Sequence, residues 1–392
     1  MYLPKMNKTI KRWLIVAGII VVLVLIKIAW VTIAMTGMGS VDGEKNGILK
    51  RRDYLSWHLI TEPKNVIDAM PSSIGRQFQG EWALYSCSMF AEALANISVI
   101  YPEEKKRCAK EIDSLVKIVL SPELREYDKQ RWKNDPLDDM SGDSHISYLS
   151  HLAWMISNYE RVSNDKKYEG LYKDLCHDMN SKILNSKNLN VQTYPDENIY
   201  IPDMLVAIVA LYNFSLTHNG QYGDTVDKWI GRAKAKWLDR KTGIIISLLD
   251  EDGNLPAETT VKGSYAALSC YYLGLIDHDF GIEQYQRIKR YMLKDSPVTG
   301  LKEYINRSPL FWSDVDAGPI LLGLSPSGTA FMTGCAILYN DQQLRKSLLK
   351  TAEIAGTTIT WNGKSHYFLA DFALVGEAIM LAMRTSISHP HR

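Results

Sequence analysis

The sequence predicts an all-α protein, an (α/α)6 toroid or barrel preceded by one N-terminal transmembrane helix. Three observations lead to this fold class. Apolar helices recur at intervals of about sixty residues, most of them are followed by a charged amphipathic helix, and one long apolar run lies near the N-terminus. Helices that are apolar on all sides belong inside a fold, whereas amphipathic helices belong outside. Six alternations of the two types close into a double ring.

Composition narrows the functional classes. The 392-residue chain is 46% hydrophobic, and its 45 Lys and Arg residues nearly balance its 44 Asp and Glu residues. A net charge of +1 produces no general field that attracts nucleic acid, and no nucleic-acid-binding motif is present. The five cysteines are scattered without a C-x-x-C pair, which is typical of neither a disulfide framework nor a zinc site. Without a phosphate loop or a dinucleotide-binding glycine motif, we expect no cofactor.

Residues 13–35 form an apolar run whose one charge is Lys27. This length fits a helix that crosses a bilayer, and Lys27 is expected to reach an interface or to face a partner. Residues 1–12 are basic, whereas the near flank after the run has no Lys or Arg, so the positive-inside rule predicts a cytoplasmic tail and an extracytoplasmic (periplasmic) main domain. No small-x-small cleavage site follows, which favours a single-pass signal anchor over a removed signal peptide.

The remaining chain is predicted to form a linker over 36–48 and the toroid over 49–388. A first helix over 49–61 is expected to act as the sixth outer helix and to close the ring. The apolar inner helices are expected to begin near Trp82, Ser144, Asp203, Ser264, Ser325 and Tyr367. The amphipathic outer helices are expected over Glu103–Leu120, Lys166–Leu184, Gln221–Leu238, Gly281–Leu293 and Asp341–Ala355. An open helical repeat is the alternative, because the repeats share spacing without sequence identity.

The second inner helix shows how such a helix can line a cavity. Asp143 or Ser144 is a suitable N-cap. His145, Tyr148 and His151 follow at spacings of three and lie roughly on one helical face. The apolar body that follows is expected to be buried, so the polar first turns suit the mouth of a cavity. A capped core helix with two incidentally polar turns is the alternative.

The long loops all precede inner helices and therefore lie on one face, where helix N-termini add partial positive charge. A pocket at this mouth is the expected site. Acids and histidines there suit proton transfer and aromatic rings suit stacking, although several of these residues are also ordinary helix-cap types. The candidates from the loop-to-helix junctions are Glu81, Trp82, Tyr85, Asp143, His145, Tyr194, Glu197, Asn198, Asp203, Tyr265, Trp312, Asp314 and Asp316.

Two other kinds of site are not predicted. Asp314 and Asp316 in the sequence DVDAG resemble part of a calcium loop, but the glycine and the terminal acid are not at calcium-loop spacing, so no metal is expected. No G-x-S-x-G elbow is present, so a serine nucleophile is not expected either.

Several segments resemble the linalool dehydratase/isomerase family in the same order along the chain. They are YLSHLAWMISNYERVSNDKKYEGLY, the segment from YPDENIYIPDM to WLDRKTG, GSYAALSCYYLGLIDHDFGIEQYQRIKR, DVDAG, and NDQQLRKSLLKTAE. The resemblance runs from about residue 76 to 384 and rests mainly on helix order and aromatic placement. It implies an (α/α)6 barrel and cofactor-independent acid/base chemistry at an alcohol or alkene.

The resemblance also implies roles for individual residues. His151 matches a histidine that takes part in acid/base chemistry, Tyr148 lies three residues before it as in the family, and Tyr265 matches a cavity tyrosine. Both family cysteine positions are replaced: the later one falls on Asp203, and the earlier one falls near Thr193 or Tyr194. An aspartate at the later position can still act as an acid or a base.

Three functions are compatible with these observations. The first is a membrane-anchored extracytoplasmic lyase or isomerase in which His151 and Asp203 exchange protons with an alcohol or alkene while Tyr148 and Tyr265 orient its hydroxyl. The second is a carbohydrate-active enzyme, a glycoside hydrolase or polysaccharide lyase, that uses paired carboxylates. The third is a non-catalytic envelope scaffold. The expected partners are a small-molecule or glycan substrate and the membrane, with a homo-oligomer as a further possibility. Carboxylates available for the second function are Glu81, Asp143, Asp203, Asp314 and Asp316.

Overall fold

A computed structural model describes residues 8–38, 41–61, 66–71, 73, 75–138, 140, 142–306 and 311–387. In these residues an inner ring of helices is surrounded by an outer ring. The inner helices are α3 (Arg76–Ile100), α6 (Ile146–Val162), α8 (Ile201–Thr217), α10 (Gly263–Ile276), α12 (Pro326–Leu338) and α14 (Leu374–Arg384). The outer helices are α2 (Val41–Ser56), α4 (Lys105–Val119), α7 (Glu169–Asn185), α9 (Gly223–Lys236), α11 (His278–Met292) and α13 (Gln342–Gly356).

The inner ring is closed. Each inner helix packs against the next one along the chain, and α14 returns to pack against α3. Each of α3, α6, α8, α10 and α12 also packs against the outer helix that follows it, and α2 packs against α14. Closure follows from the apolar circumference of the inner helices, because both sides of each one have to be covered. The open-repeat alternative is therefore excluded.

The outer helix α2 closes the ring, as the sequence predicts, but it begins earlier than expected. The helix starts at Val41, so most of the predicted linker over 36–48 is helical. A π-helical turn over Trp57–Thr61 follows α2.

The buried Arg51 guanidinium donates to Glu377 Oε1 at 2.5 Å and to Thr358 Oγ1 at 2.6 Å. It also lies 3.9 Å from the centre of the Tyr367 ring. Arg51 thus joins the start of the ring to its end.

Four inner helices begin within two residues of their predicted starts, and the other two differ. Helix α3 begins at Arg76, six residues before Trp82, and α14 begins at Leu374 because Tyr367 ends a strand. Neither residue expected to cap α6 does so in the ordinary way. The cap position is His145, with a left-handed φ of 47°, and Asp143 is exposed. Ser144 Oγ accepts the N–H of Ile146 at 3.3 Å.

The long loops contain structure that an all-α fold class does not include. Helix α5 (Pro122–Trp132) lies in one of them. Four antiparallel strand pairs lie in the others: β1 (Ile199–Tyr200) with β2 (Leu248–Leu249), β3 (Leu293–Lys294) with β4 (Gly300–Leu301), β5 (Phe311–Asp314) with β6 (Gly318–Leu321), and β7 (Thr358–Trp361) with β8 (Lys364–Tyr367). Strands of two to four residues are too short for an alternating pattern to be visible in the sequence.

Helix α1 (Lys8–Ala34) lies outside the double ring. Among the described residues, α1 and α3 are the helices long and apolar enough to cross a membrane; α3 is mostly buried in the ring, whereas α1 is almost entirely exposed. Near its C-terminal end α1 packs against α13, where Lys27 Nζ donates to the Glu353 carbonyl at 3.0 Å and to Thr357 Oγ1. Most of the predicted tail over 1–12, namely residues 1–7, and position 388 of the predicted domain lie outside the described residues.

Candidate active site

Two carboxyl groups at the mouth of the ring interact electrostatically, one from α3 and one from α8. Asp203 lies in the first turn of α8 and Glu81 in the second turn of α3. Both are largely enclosed by protein, although the Glu81 side chain retains 25% of its exposure. Burial raises the pKa of Glu81 to about 7. Burial, followed by the negative charges of Glu81 and Asp316, raises the pKa of Asp203 to about 8.

The third carboxyl group of this site comes from the turn between β5 and β6. Asp316 forms an ion pair with Lys262 at 2.6 Å, and its charge contributes to the raised pKa values of both Glu81 and Asp203. Asp314 shapes the turn, because its Oδ1 accepts the backbone N–H groups of Asp316 at 2.9 Å and Ala317 at 3.0 Å and also lies 3.0 Å from Lys262 Nζ. The hairpin therefore carries a negative charge to the mouth of the ring.

Arg131 makes the environments of the two main carboxyl groups different. It extends from α5, lies 3.5 Å from the centre of the Tyr194 ring, and forms ion pairs with Glu81 at 3.2 Å and Glu197 at 3.4 Å. Its charge opposes the effect of burial and lowers the pKa of Glu81. Ionisation is therefore easier at Glu81 than at Asp203. Arg131 is not among the residues predicted from the sequence, because α5 lies in a segment whose pattern predicts a long loop.

Tyrosines form the wall around these carboxyl groups. The rings of Tyr200 and Tyr265 meet edge to face with centres 5.9 Å apart. Burial and then the charge of Asp203 raise the pKa of Tyr85, while burial and then Asp316 and Asp203 raise that of Tyr265. Burial and the charge of Glu81 do the same for Tyr194. These hydroxyls therefore stay protonated. The Tyr194 hydroxyl donates to Ser147 Oγ at 3.1 Å, and the others can donate to a bound ligand.

The two α6 residues singled out by the family resemblance lie outside this cluster. His151 is 1% exposed, its Nδ1 lies 2.8 Å from Ser88 Oγ, and burial lowers its pKa to about 3, so the ring is neutral. It packs behind the Tyr85 ring, with centres 4.7 Å apart. Tyr148 is fully buried and donates to the Val119 carbonyl at 2.8 Å, which directs its hydroxyl outward to α4.

The remaining candidates are distributed around the mouth. His145 is fully buried and pairs with Asp128, while Asp143 is exposed and accepts Lys182 Nζ at 2.6 Å through its carbonyl oxygen. Trp82 is partly buried against the core, and Trp312 is 57% exposed on β5. An open depression of about 450 Å³ lies beside the cluster and is lined by Asp196, Glu197, Asn198, Tyr200, Asp250 and Glu251. Within the described ranges, no group of three or more side chains is arranged to hold a metal ion.

The fold is similar to that of two solved carbohydrate-active enzymes. One is an unsaturated glucuronyl hydrolase specific for heparin, with a TM-score of 0.51 and 13% identity over 77% of this chain and 85% of that chain. The other is a family 105 glycoside hydrolase from C. acetobutylicum ATCC 824, with a TM-score of 0.54 and 10% identity over 76% of this chain and 92% of that chain. At such identities the likeness shows the fold alone, an α/α toroid. No protein-family model and no curated protein matches the sequence.

The predicted relationship to linalool dehydratase/isomerase is wrong, and with it the expectation of a lyase or isomerase acting on an alcohol or alkene. The two similar structures are an unsaturated glucuronyl hydrolase and a family 105 glycoside hydrolase, and neither is a linalool dehydratase/isomerase. Helix order and aromatic placement suggested that family, but any closed double ring needs the same alternation of apolar and amphipathic helices. The features that carried the resemblance are therefore those of the toroid.

Proposed function

We propose that this protein is a glycoside hydrolase in which Asp203 is the general acid and Glu81 is the general base or nucleophile. The observation that carries the proposal is the pair of enclosed carboxyl groups whose pKa values are raised to about 8 and about 7. Glycoside cleavage needs one protonated and one ionised carboxyl group on either side of the scissile bond. A pair of titratable groups in different environments supplies this division of roles.

The charges around the pair favour this assignment of roles. Near neutral pH Asp203 keeps its proton, which it can deliver to the glycosidic oxygen of the leaving group. Glu81 faces Arg131 at 3.2 Å and ionises first, so it can attack the anomeric carbon or deprotonate a water molecule. Because the two groups interact, they titrate as a pair that holds one proton over this interval of pH.

The surrounding wall suits a saccharide. Tyr85, Tyr200 and Tyr265 combine apolar ring faces, against which sugar rings stack, with hydroxyl groups that donate to sugar oxygens. One of the two similar structures is an unsaturated glucuronyl hydrolase specific for heparin, and the other is a family 105 glycoside hydrolase. Both agree with a glycan as the substrate class of this chain.

We also propose that α1 anchors the protein in a membrane with its basic N-terminal side in the cytoplasm and the toroid outside. The support is its apolar, exposed length and the basic residues that precede it. In this arrangement the catalytic face acts on an extracytoplasmic glycan.

The test is cleavage of a panel of glycans by the full-length protein, followed by detection of new reducing ends and of unsaturated sugars. We expect reducing ends without unsaturated products, and a loss of about 10²–10⁴-fold in kcat for Asp203→Asn or Glu81→Gln. Asp224→Asn is the matched control, since Asp224 is an exposed first-turn acid of the outer helix α9 at the opposite face. Unsaturated products, or full activity in both site variants, would rule out this mechanism.

A further inference from the structure

Helix α1 leaves the toroid on the face that carries the carboxyl site. Outer helices run toward this mouth, so the end of α13 and Thr357 lie at the mouth, and Lys27 is bound to them. Farther along α1, Val31 is buried. The chain then turns into α2 at the opposite face. There Glu44 forms an ion pair at 2.5 Å with Arg345, which lies near the start of α13. Read from Lys27 toward the N-terminus, α1 therefore projects beyond the mouth.

The projecting part contains the start of the apolar run and the basic turn before it. Residues 8–26 are helical, and the apolar residues 13–26 extend about 21 Å at 1.5 Å per residue. This is shorter than the roughly 30 Å hydrocarbon core of a bilayer, so the helix crosses it only with the mouth drawn against the membrane and with Lys11 and Arg12 reaching back to the head groups. Residues 11–26 are exposed throughout. The one charge in the apolar run, Lys27, lies where this span ends and is hydrogen-bonded to the toroid. If residues 13–26 cross the bilayer, the mouth is at the membrane surface.

Exposed aromatic side chains independently mark the same face. Outside α1, every exposed tryptophan and phenylalanine of the described residues belongs to the mouth, on the β5–β6 hairpin, around β7–β8 or just after α2. Tryptophan and other amphipathic aromatic rings are favoured at the interface between lipid and water. We call this group the apolar rim: Trp57, Phe311, Trp312, Trp361, Phe368 and Phe372.

The remainder of the mouth has the opposite character. The depression beside the site is lined by Asp196, Glu197, Asp250 and Glu251, and Asp252 follows them. Burying these carboxylates in lipid would be costly, so this acidic side remains in water. The apolar rim flanks α13, where α1 is attached, while the acidic side belongs to the third and fourth junctions. The mouth is thus divided into a side suited to lipid and a side suited to solvent.

We infer that the mouth rests against the membrane through the apolar rim and that the substrate is a saccharide linked to a lipid. This substrate class rests on the proposed glycoside hydrolase function, whereas the contact of the rim with lipid does not. A head-group saccharide at the membrane surface faces the carboxyl pair directly. A soluble polysaccharide has to enter from the acidic side alone.

The orientation is tested with the full-length protein in vesicles of phosphatidylethanolamine and phosphatidylglycerol. All five native cysteines are buried, so a fluorophore can be directed to Trp361→Cys or Phe372→Cys, with Leu216→Cys as the control on the opposite face. Nitroxide lipids should quench the two rim labels several-fold more than the label at position 216, which is 67% exposed in the native protein. Equal quenching, or stronger quenching at position 216, would overturn the inference.

A second experiment tests the substrate class in the same vesicles. We expect kcat/KM for a lipid-linked saccharide to exceed that for the same saccharide released from lipid by at least 10-fold, and Trp361→Ser with Phe372→Ser to reduce this ratio. An equal loss on the released saccharide would identify the rim as a glycan-stacking surface and overturn the inference. Quenched rim labels without cleavage of any glycan would contradict the proposed function instead. Cleavage of glycans by a protein with unquenched rim labels would contradict only the membrane-facing mouth.

Discussion

Asp203 and Glu81 are acids whose ionisation the surrounding ring opposes. Enclosure in the ring removes water that would stabilise their charges, and the nearby Asp316 adds repulsion. Arg131 acts in the other direction, mainly on Glu81, with which it forms an ion pair, while a hydrogen bond from Thr193 lowers the pKa of Asp203. Position around the ring, rather than the difference between Asp and Glu, therefore sets the order in which the two groups lose their protons.

The first prediction at this scale concerns the pH dependence of activity. With Glu81 ionised and Asp203 protonated in the active form, kcat/KM should be greatest between about pH 7 and 8 and should fall on both sides. Arg131→Gln removes the positive charge beside Glu81, so its pKa rises and the acidic limb should move to higher pH. The pH profiles of both proteins provide the measurement. Arg131→Lys keeps the charge as a control, and an acidic limb that stays in place in Arg131→Gln would contradict the assignment.

The second prediction concerns stability. The pKa of Asp203 is about 8 in the fold and about 4 in an unfolded chain, so stability is lost as pH rises from about 4 to 8. Asp203→Asn removes this loss. Each pKa unit corresponds to about 1.4 kcal/mol, and the partial exposure of Asp203 to solvent reduces the effect, so we expect the variant to be about 1–3 kcal/mol more stable at pH 9.

Denaturant unfolding at pH 4 and pH 9 tests this sign. The difference between Asp203→Asn and the native protein should be small at the lower pH and large at the higher pH. Asp224→Asn, at an exposed position, should show no such dependence. A stabilisation of Asp203→Asn that is equal at both values would show that repulsion and burial of its charge are not the cause.

At the scale of the element, the long loop before α12 is fixed to the start of α10. The fully buried Glu303 accepts the backbone N–H of Ser264 at 3.0 Å and its hydroxyl at 2.8 Å. The backbone comes equally close, because a Cβ on Gly263 would lie 2.0 Å from the Lys302 carbonyl oxygen. This contact holds the following β5–β6 hairpin, and hence Asp316, over the site.

The prediction that belongs here is that Glu303→Ala destabilises the protein by about 2–3 kcal/mol, since it removes hydrogen bonds to a buried carboxylate. It should also release the hairpin, which limited proteolysis between residues 303 and 324 would detect. Glu251→Ala, an exposed acid in another long loop, is the matched control. Native resistance to protease in Glu303→Ala would show that other contacts hold the hairpin.

Helix order was largely predictable at this scale, whereas loop content was not. The start of α10 was predicted within one residue because an inner helix has to be apolar all round, which a sequence shows directly. Helix α5 was not found, because a short polar helix has no distinctive pattern. Arg131 was missed with it. Asp203 and Asp143 were both candidates because acids near helix starts are visible in a sequence, but nothing local distinguishes Asp203, which is enclosed at the mouth, from Asp143, which is exposed.

At the scale of the whole molecule, α1 and α2 have different functions although they are consecutive. Helix α1 contacts the toroid only near its C-terminal end, whereas α2 is one of its outer helices. Arg51 of α2 neutralises two buried acids, Glu377 at 2.5 Å and Glu353 at 3.5 Å. Removing this helix would leave both charges uncompensated in the interior.

Truncation should therefore separate the two helices. A chain that lacks residues 1–34 should fold and stay in solution, with the helical circular dichroism of the toroid and cooperative thermal unfolding. A chain that lacks residues 1–56 should not fold cooperatively, because breaking a buried ion pair alone costs about 3–5 kcal/mol. Arg51→Ala in the chain that lacks residues 1–34 keeps α2 but removes the charge, so it separates the effect of the ion pairs from the effect of losing the helix. Cooperative unfolding of the chain without residues 1–56 would contradict the role given to α2.

The sequence by itself determined the alternation of apolar and amphipathic helices, the exposed N-terminal apolar helix and the face on which the long loops lie. These are properties of hydrophobic pattern, which acts over a few turns of chain. Only the tertiary structure decided that α14 meets α3, that Arg131 reaches Glu81, and that His151 and Tyr148 are buried away from the carboxyl pair. Contacts of this kind join residues tens to hundreds of positions apart. The raised pKa values of Glu81 and Asp203 result from such contacts, so they arise only when the whole ring has closed.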